Sequence, residues 1–177
     1  MVASLNDPRI RFVNLNERGK YPENPRHRWY VAGTPALNHA EAIMQGLWVA
    51  HLDDDEIFTP DHLEKLLRFA EAGDYEFVYS KVRQEQQPGV WAEVGKTPLI
   101  KYFYMNHCGH STTLWRRYLN AFDYDLHAWR INMPGDQNRW SRIQLTDVRI
   151  GYLPEVTAIA PLRPGITLFG HKAEDRE

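Results

Sequence analysis

The feature that most constrains the fold is the stretch WVAHLDDDEIFTP, residues 48–60, in which an apolar run stops on Asp53, Asp54, Asp55 and Glu56. A short apolar run bounded by turn residues suits a strand buried on both faces, and such strands belong to sheets covered by helices. Four adjacent carboxylates repel one another unless water, bases or a cation compensates. The pattern therefore sets a negative cluster at the carboxyl end of a core strand, where open α/β sheets bind ligands.

The flanking sequence extends this reading. Thr34 and Pro35 supply a helix cap and a first-turn proline, and Ala36, Leu37, Ala40, Ile43, Met44 and Leu47 fall on one face, predicting a helix over 35–45 closed by Gly46. LWVAHL, 47–52, is the buried strand. Thr59 and Pro60 repeat the cap device, Leu63, Leu66, Leu67 and Ala70 make an apolar stripe, and Gly73 stops the helix before a further strand, YEFVYSKV, 75–82. With RIRFVNL, 9–15, as a leading strand, the order is strand, helix, strand, helix, strand. Right-handed crossovers turn that order into an open, mostly parallel sheet flanked by helices.

The polar stretch NERGKYPENPRHR, 16–28, reads as a site-lining loop. Downstream, QEQQPGVWAEVG predicts a loop and short hairpin, STTLWRRYLNAF (111–122) a strand or helix, and GDQNRWSRIQL (135–145) a helix. VRIGYL and VTAIAPL predict two late strands, and 171–177 a frayed tail.

Composition removes several function classes. A chain of 177 residues, 43% hydrophobic, buries one sizeable core, so a single domain over 1–177 is expected, with its core at about 9–160. A net charge of −2 gives no global reason to bind nucleic acid. Cys108 is the single cysteine, which excludes an internal disulfide and a thiolate zinc cluster and suits a reducing compartment. No apolar run approaches the roughly 18 residues of a membrane span, and MVASLNDPRI lacks signal-peptide features, so a cytoplasmic protein, at most peripheral to the membrane, is expected.

Two readings of the acids stand. A solvated turn that caps the next helix accounts for Glu56 and Asp61. A hard divalent cation, held by one or two carboxylates and completed by water and substrate phosphates, accounts for the cluster's place after the most apolar strand. An EF-hand does not fit, because Ile57 and Phe58 fall where a ligand and the turn glycine are required.

Other clusters are equally two-sided. NHCGHS, 106–111, brings His107, Cys108 and His110 together, as a zinc site or as a tight loop. Arg26, His27 and Arg28 form a phosphate- or sugar-binding loop or a solvated one. Trp91, Trp115 and Trp129 stack on sugars or fill the core, and His171 is a late metal ligand or an exposed tail residue.

The stretch WYVAGTPALNHAEAIMQGLWVAHLDDDEIFTPDHLEKLL resembles the middle of a family 2 glycosyltransferase of the GT-A fold. There an Asn-bearing helix leads through a small-residue turn to a strand ending in Asp-x-Asp, followed by a Pro-initiated helix. The resemblance implies a GT-A-like (Rossmann-like) α/β domain in which Asp53 and Asp55 ligate Mn²⁺ or Mg²⁺. Asp53, Asp54, Asp55 and Asn38 would bind the diphosphate of a UDP- or GDP-sugar. It further implies that Gly135-Asp136 supplies the general base, Asp136, whose alternative role is a helix N-cap. His107, His110, Trp91, Arg139 and Trp140 would line the pocket of a saccharide or lipid-linked acceptor.

QNRW, 137–140, is one residue short of the Gln-x-x-Arg-Trp motif of processive synthases, so Arg139 reads also as a helix-surface or phosphate contact and Trp140 as packing. Complete enzymes of the family begin with a further strand and helix portion that reads the nucleotide base. The domain is therefore expected to be N-terminally shortened, with a homodimer or a partner chain covering the open sheet edge. A noncatalytic nucleotide- or sugar-binding module, or a subunit completed by a partner, is the second functional reading.

Overall fold

The computed structural model describes residues 7–17, 19–95 and 108–162. The leading segment does not form the strand expected over 9–15, and Ile10, Phe12 and Val13 are 43%, 64% and 48% exposed. Alternation alone makes no strand where no neighbour accepts its hydrogen bonds. Within the expected loop over 16–28, helix α1 (Pro25–Val31) begins instead, capped by Asn24, whose Oδ1 accepts the His27 N–H at 3.0 Å. Asn24-Pro25 is the same cap-and-proline pair recognised at Thr34-Pro35.

Helix α2 spans Thr34–Ile43, and its cap is Gly33 at φ +78°, not Thr34, which is buried in the first turn. Strands β1 (Trp48–Ala50) and β2 (Ile57–Phe58) bracket the acids. Helix α3 (His62–Ala72) starts at Asp61, where the Thr59 hydroxyl donates to Oδ1 at 2.7 Å. β3 (Phe77–Gln87) turns at Gly89, φ +77°, into β4 (Val90–Val94), the expected hairpin.

The stretch 111–122 divides into a 3₁₀ turn (His110–Thr112), β5 (Thr113–Arg116) and a second 3₁₀ turn (Arg117–Ala121). A third 3₁₀ turn (Ala128–Ile131) precedes α4 (Gly135–Gln144). The two late strands are one, β6 (Ile150–Ala160), with a register break between the pairs Ser80↔Leu153 and Lys81↔Val156. Pro154 lies in that break, where a residue without an N–H is tolerated.

The sheet runs β1-β5-β3-β6-β2, with β4 on the far end of β3. The β3–β6 pair is parallel and the other four pairings are antiparallel, so the sheet is mixed rather than mostly parallel. β1, β3 and β6 do share a direction, as successive crossovers require. The expectation failed because β5 inserts between β1 and β3 and β2 pairs outside β6, both running the other way. The α/β layering holds. Phe77, Tyr79, Trp115, Trp140 and Ile143 pack on one face, whereas Val78, Leu114 and Leu153 meet Leu66 and Ala70 of α3 on the other. Alternate residues of β3 thus feed opposite cores.

His62 pins α3 to β6. It is 1% exposed and stacks on Phe58 at 3.7 Å between centroids, while Nδ1 lies 2.9 Å from the Thr157 carbonyl oxygen and 2.8 Å from its hydroxyl. Burial holds its pKa below the ordinary 6.5, against the opposing pull of Thr157 and Asp61. The unfolded chain then binds the proton more readily than the folded one, so stability is lost as pH falls through 6.5. In urea unfolding between pH 7.5 and pH 5, His62→Phe is expected to remove this contribution, so that its midpoint changes more favourably than the wild type's as pH falls; equal slopes in the two proteins would contradict this assignment.

Candidate active site at the carboxyl edge of the sheet

The antiparallel register Ala50↔Leu114 sets the end of β1 beside the start of β5, so residues 51–53 meet residues 110–111 across the strand ends. The Asp53 N–H donates to Ser111 Oγ at 2.9 Å. His51 Nε2 lies 3.1 Å from Asp53 Oδ1, and His110 Nδ1 lies 3.5 Å from the same oxygen. The two imidazoles are 4.4 Å apart between centroids. His110 is held from behind by the Thr113 hydroxyl, which donates to its carbonyl oxygen at 2.6 Å.

This packing sets the charges. Burial opposes ionisation of Asp53, but the His110 and His51 rings outweigh it and hold the carboxyl well below the usual range. Burial likewise opposes protonation of His110, and Asp53 and Asp136 outweigh it, raising the imidazole's pKa. Half-buried Glu56 is pushed up to about 7 by burial and by the charges of Asp53 and Asp55, against a bond from Ser111. Asp54 and Asp55 face solvent.

Asp136 lies in the first turn of α4, where its Oδ1 accepts the Gln137 N–H at 2.7 Å. The cap position is Pro134, so Asp136 is not the helix N-cap. Its charge acts on His110, Cys108 and Tyr124. Gly135 brings this helix start close to α1, since a Cβ there would stand 3.3 Å from the Tyr30 carbonyl oxygen. His110 contacts Asp53 directly and also feels the charge of Asp136, although 83 residues separate the two acids.

Several expected site residues are occupied elsewhere. Asn38 clamps the Tyr124 backbone, donating to its carbonyl at 2.9 Å and accepting its N–H at 2.8 Å, so its amide is engaged as a structural brace. Arg139 is neither a helix-surface group nor a pocket group: it is 0% exposed, paired with Glu41 and surrounded by Trp115, Tyr124 and Trp140 at 5.0, 4.4 and 5.5 Å. Trp140 is core, 2% exposed, as is Trp115.

Trp91 sits on β4 under the Arg83 guanidinium, 5.3 Å from its centroid, at a register position opposite Glu85 and well along β3 from the acids. Arg26, His27 and Arg28 belong to α1; Arg26 donates to the Tyr30 hydroxyl and His27 stacks on half-buried Trp129 at 5.1 Å. Cys108 is buried in the core with its thiol pKa raised by desolvation, so the zinc reading of 106–111 loses its sulfur, while His110 turns to Asp53. His107 and His171 lie outside the described residues.

Sequence reasoning passed over His51, Ser111 and Glu41. His51 was legible, being two residues from Asp53 at a strand end, where alternate side chains share a face. Ser111 was not, because its approach depends on the β1–β5 register across 58 residues.

A mixed sheet flanked by helices is the architecture of GT-A glycosyltransferases. The family described as Glycosyl transferase family 2 matches residues 3–133, and the chain belongs to it. Among solved structures, S. aureus TarS 1–349 in complex with UDP is 15% identical, with 77% of this chain and 42% of that one aligned at a TM-score of 0.55. The complex with UDP-GlcNAc is 17% identical over 72% and 38%, at 0.53. TarS 1–349 alone is 13% identical over 75% and 41%, at 0.50. The chain thus spans about two fifths of these structures' length. No curated protein matches it.

Because Glu41 is also buried, Arg139→Met strands a carboxylate without its partner and is expected to cost about 3–5 kcal/mol in urea unfolding. The double variant Glu41→Leu/Arg139→Met is expected to recover much of that loss. A single variant as stable as the wild type would contradict the structural role given to the pair.

Proposed function

We propose that the chain is a metal-dependent glycosyltransferase that moves a sugar from a UDP- or GDP-sugar to an acceptor hydroxyl with inversion. The observation that carries this reading is that Asp53, held ionised at the carboxyl edge, and Asp136 both act on the charge of one imidazole, His110, in a chain of family 2. That two of the similar solved structures hold UDP and UDP-GlcNAc makes these the first ligands to test.

The donor chemistry of the edge fits a cation, since Asp53 stays charged and Asp55 lies exposed one turn position away. Asp53 and Asp55 would hold Mn²⁺ or Mg²⁺. When bound, the ion would neutralise charge on the departing nucleoside diphosphate. The Ser111 hydroxyl fixes the Asp53 backbone, which keeps its carboxylate aimed at the edge. Asp54 would position the nucleotide beside it.

Asp136, fixed by α4, would take the proton of the acceptor hydroxyl while that oxygen forms its bond to the anomeric carbon. The bond from that carbon to the diphosphate breaks on the opposite side, so one displacement inverts the centre. His110, which feels the charge of both acids, would face the reacting sugar. The acceptor class is a saccharide or lipid-linked hydroxyl, reached from the cytoplasm or the membrane surface. No helix among the described residues is long and apolar enough to cross a membrane.

A second reading rests on the sheet edge. β1 ends the strand order with β5 as its neighbour, and adjoining Leu47 is 72% exposed. A second copy or a partner chain that pairs there would complete the nucleotide pocket, and the chain alone would bind without transferring.

Calorimetric titration of UDP and GDP with Mn²⁺, Mg²⁺ or EDTA separates these readings. Binding that needs a cation and is lost in Asp53→Asn is expected, and equal binding in EDTA would contradict the metal role. Asp136→Asn is expected to lower transfer or slow donor hydrolysis by about 10²–10⁴-fold with UDP affinity retained. Parallel loss of affinity would instead mark Asp136 as structural, and binding without any turnover in the wild type selects the second reading.

A further inference from the structure

We propose that His51, Asp53 and His110 together form a mixed nitrogen and oxygen cation site that selects a borderline transition ion, Zn²⁺ or Co²⁺, over Mg²⁺. It deepens the preceding reading, since it rests on a cation being held at this edge. An Asp-x-Asp motif alone offers only carboxylate oxygens, the donors that suit Mg²⁺. Here two imidazoles stand against the first acid of the motif, and imidazole is the donor that suits zinc and its first-row neighbours.

The distances are compatible with ligands around one ion. Donors about 2.0–2.1 Å from a tetrahedral centre stand about 3.3–3.5 Å apart. His51 Nε2 and His110 Nδ1 lie 3.1 and 3.5 Å from Asp53 Oδ1, and the candidate ligand atoms of the three residues all lie within 4.8 Å of one another. The longer separation exceeds the usual N–H···O range of about 2.7–3.2 Å.

The three donors are also held in advance. Asp53 is fixed by Ser111 at 2.9 Å and His110 by Thr113 at 2.6 Å, while His51 immediately follows paired strand β1. All three side chains are partly open, at 15%, 37% and 17% exposure, so an ion has access and keeps positions for other ligands. Three protein ligands with an open position is the pattern of a catalytic rather than a structural zinc site.

The test uses the full chain, stripped of metal and titrated with Co²⁺, whose visible absorption reports coordination, followed by displacement with Zn²⁺ and Mg²⁺. One equivalent of Co²⁺, displaced by Zn²⁺ and not by equimolar Mg²⁺, is expected. His51→Ala and His110→Ala should each weaken binding by at least the roughly 10- to 100-fold that loss of an outer-shell partner costs. Spin-echo spectroscopy of Cu²⁺ bound to the wild type should show imidazole nitrogen couplings, which needs no variant to fold. Absent nitrogen couplings, no Co²⁺ binding, or Mg²⁺ displacing Co²⁺ at equal concentration would overturn the proposal. UDP binding that requires Mg²⁺ and is unchanged in both histidine variants would overturn it while leaving the transferase reading intact. Nitrogen-ligated metal without nucleotide binding would support the site and count against that reading.

Discussion

The buried pair of Arg139 and Glu41 is the interaction on which the rest of this structure depends. It joins α4 to α2, and the same guanidinium reaches the Leu119 carbonyl at 3.3 Å and lies among three aromatic rings. Asn120 extends the contact by accepting the Trp115 indole N–H at 2.9 Å. Desolvating two charges is costly, and the attraction offsets that cost only when the geometry is fixed and other bonds are supplied. Leu119 supplies one such bond, while the buried Arg139 Nε has none among the described residues. The consequence is positional: α2 carries Asn38, which sets the Tyr124 backbone, and α4 carries Asp136.

The acidic edge is built by a second constraint, the register of β1 against β5. His51 and Asp53 follow β1, and His110 opens the 3₁₀ turn that leads into β5. They stand at strand ends, held by Ser111 and Thr113, so their mutual distances follow from which residue of β1 faces which residue of β5. A slip by one residue would turn the alternate side chains to the other face and separate His110 from Asp53. The frame supplied by the buried pair and the edge supplied by the register meet at His110, which feels both Asp53 and Asp136.

What the sequence made legible was local. The apolar stripe of α3, the acids after β1, the Pro88-Gly89 hairpin and the helix at Gly135 all rest on periodicity or turn chemistry within a dozen residues. What it hid was long-range. The insertion of β5 between β1 and β3 has no local signature, and this is why the sheet was expected to be mostly parallel and is mixed. Arg139 and Asn38 looked like ligand-facing groups because polar side chains are usually exposed. Their partners, Glu41 and Tyr124, are 98 and 86 residues away. Asp53 read correctly as a strand-end acid, and the imidazoles around it emerged only from the fold.

The central claim is that one site gathers Asp53, its imidazoles and Asp136 around the diphosphate and sugar of a nucleotide donor. The most direct test is diffraction from crystals grown with UDP-GlcNAc and Mn²⁺, measured for anomalous scattering. The account predicts an anomalous peak bound to Asp53, with the diphosphate on the ion and the anomeric carbon facing Asp136. Nucleotide bound away from this edge, or a peak that leaves Asp53 uncoordinated, would contradict it.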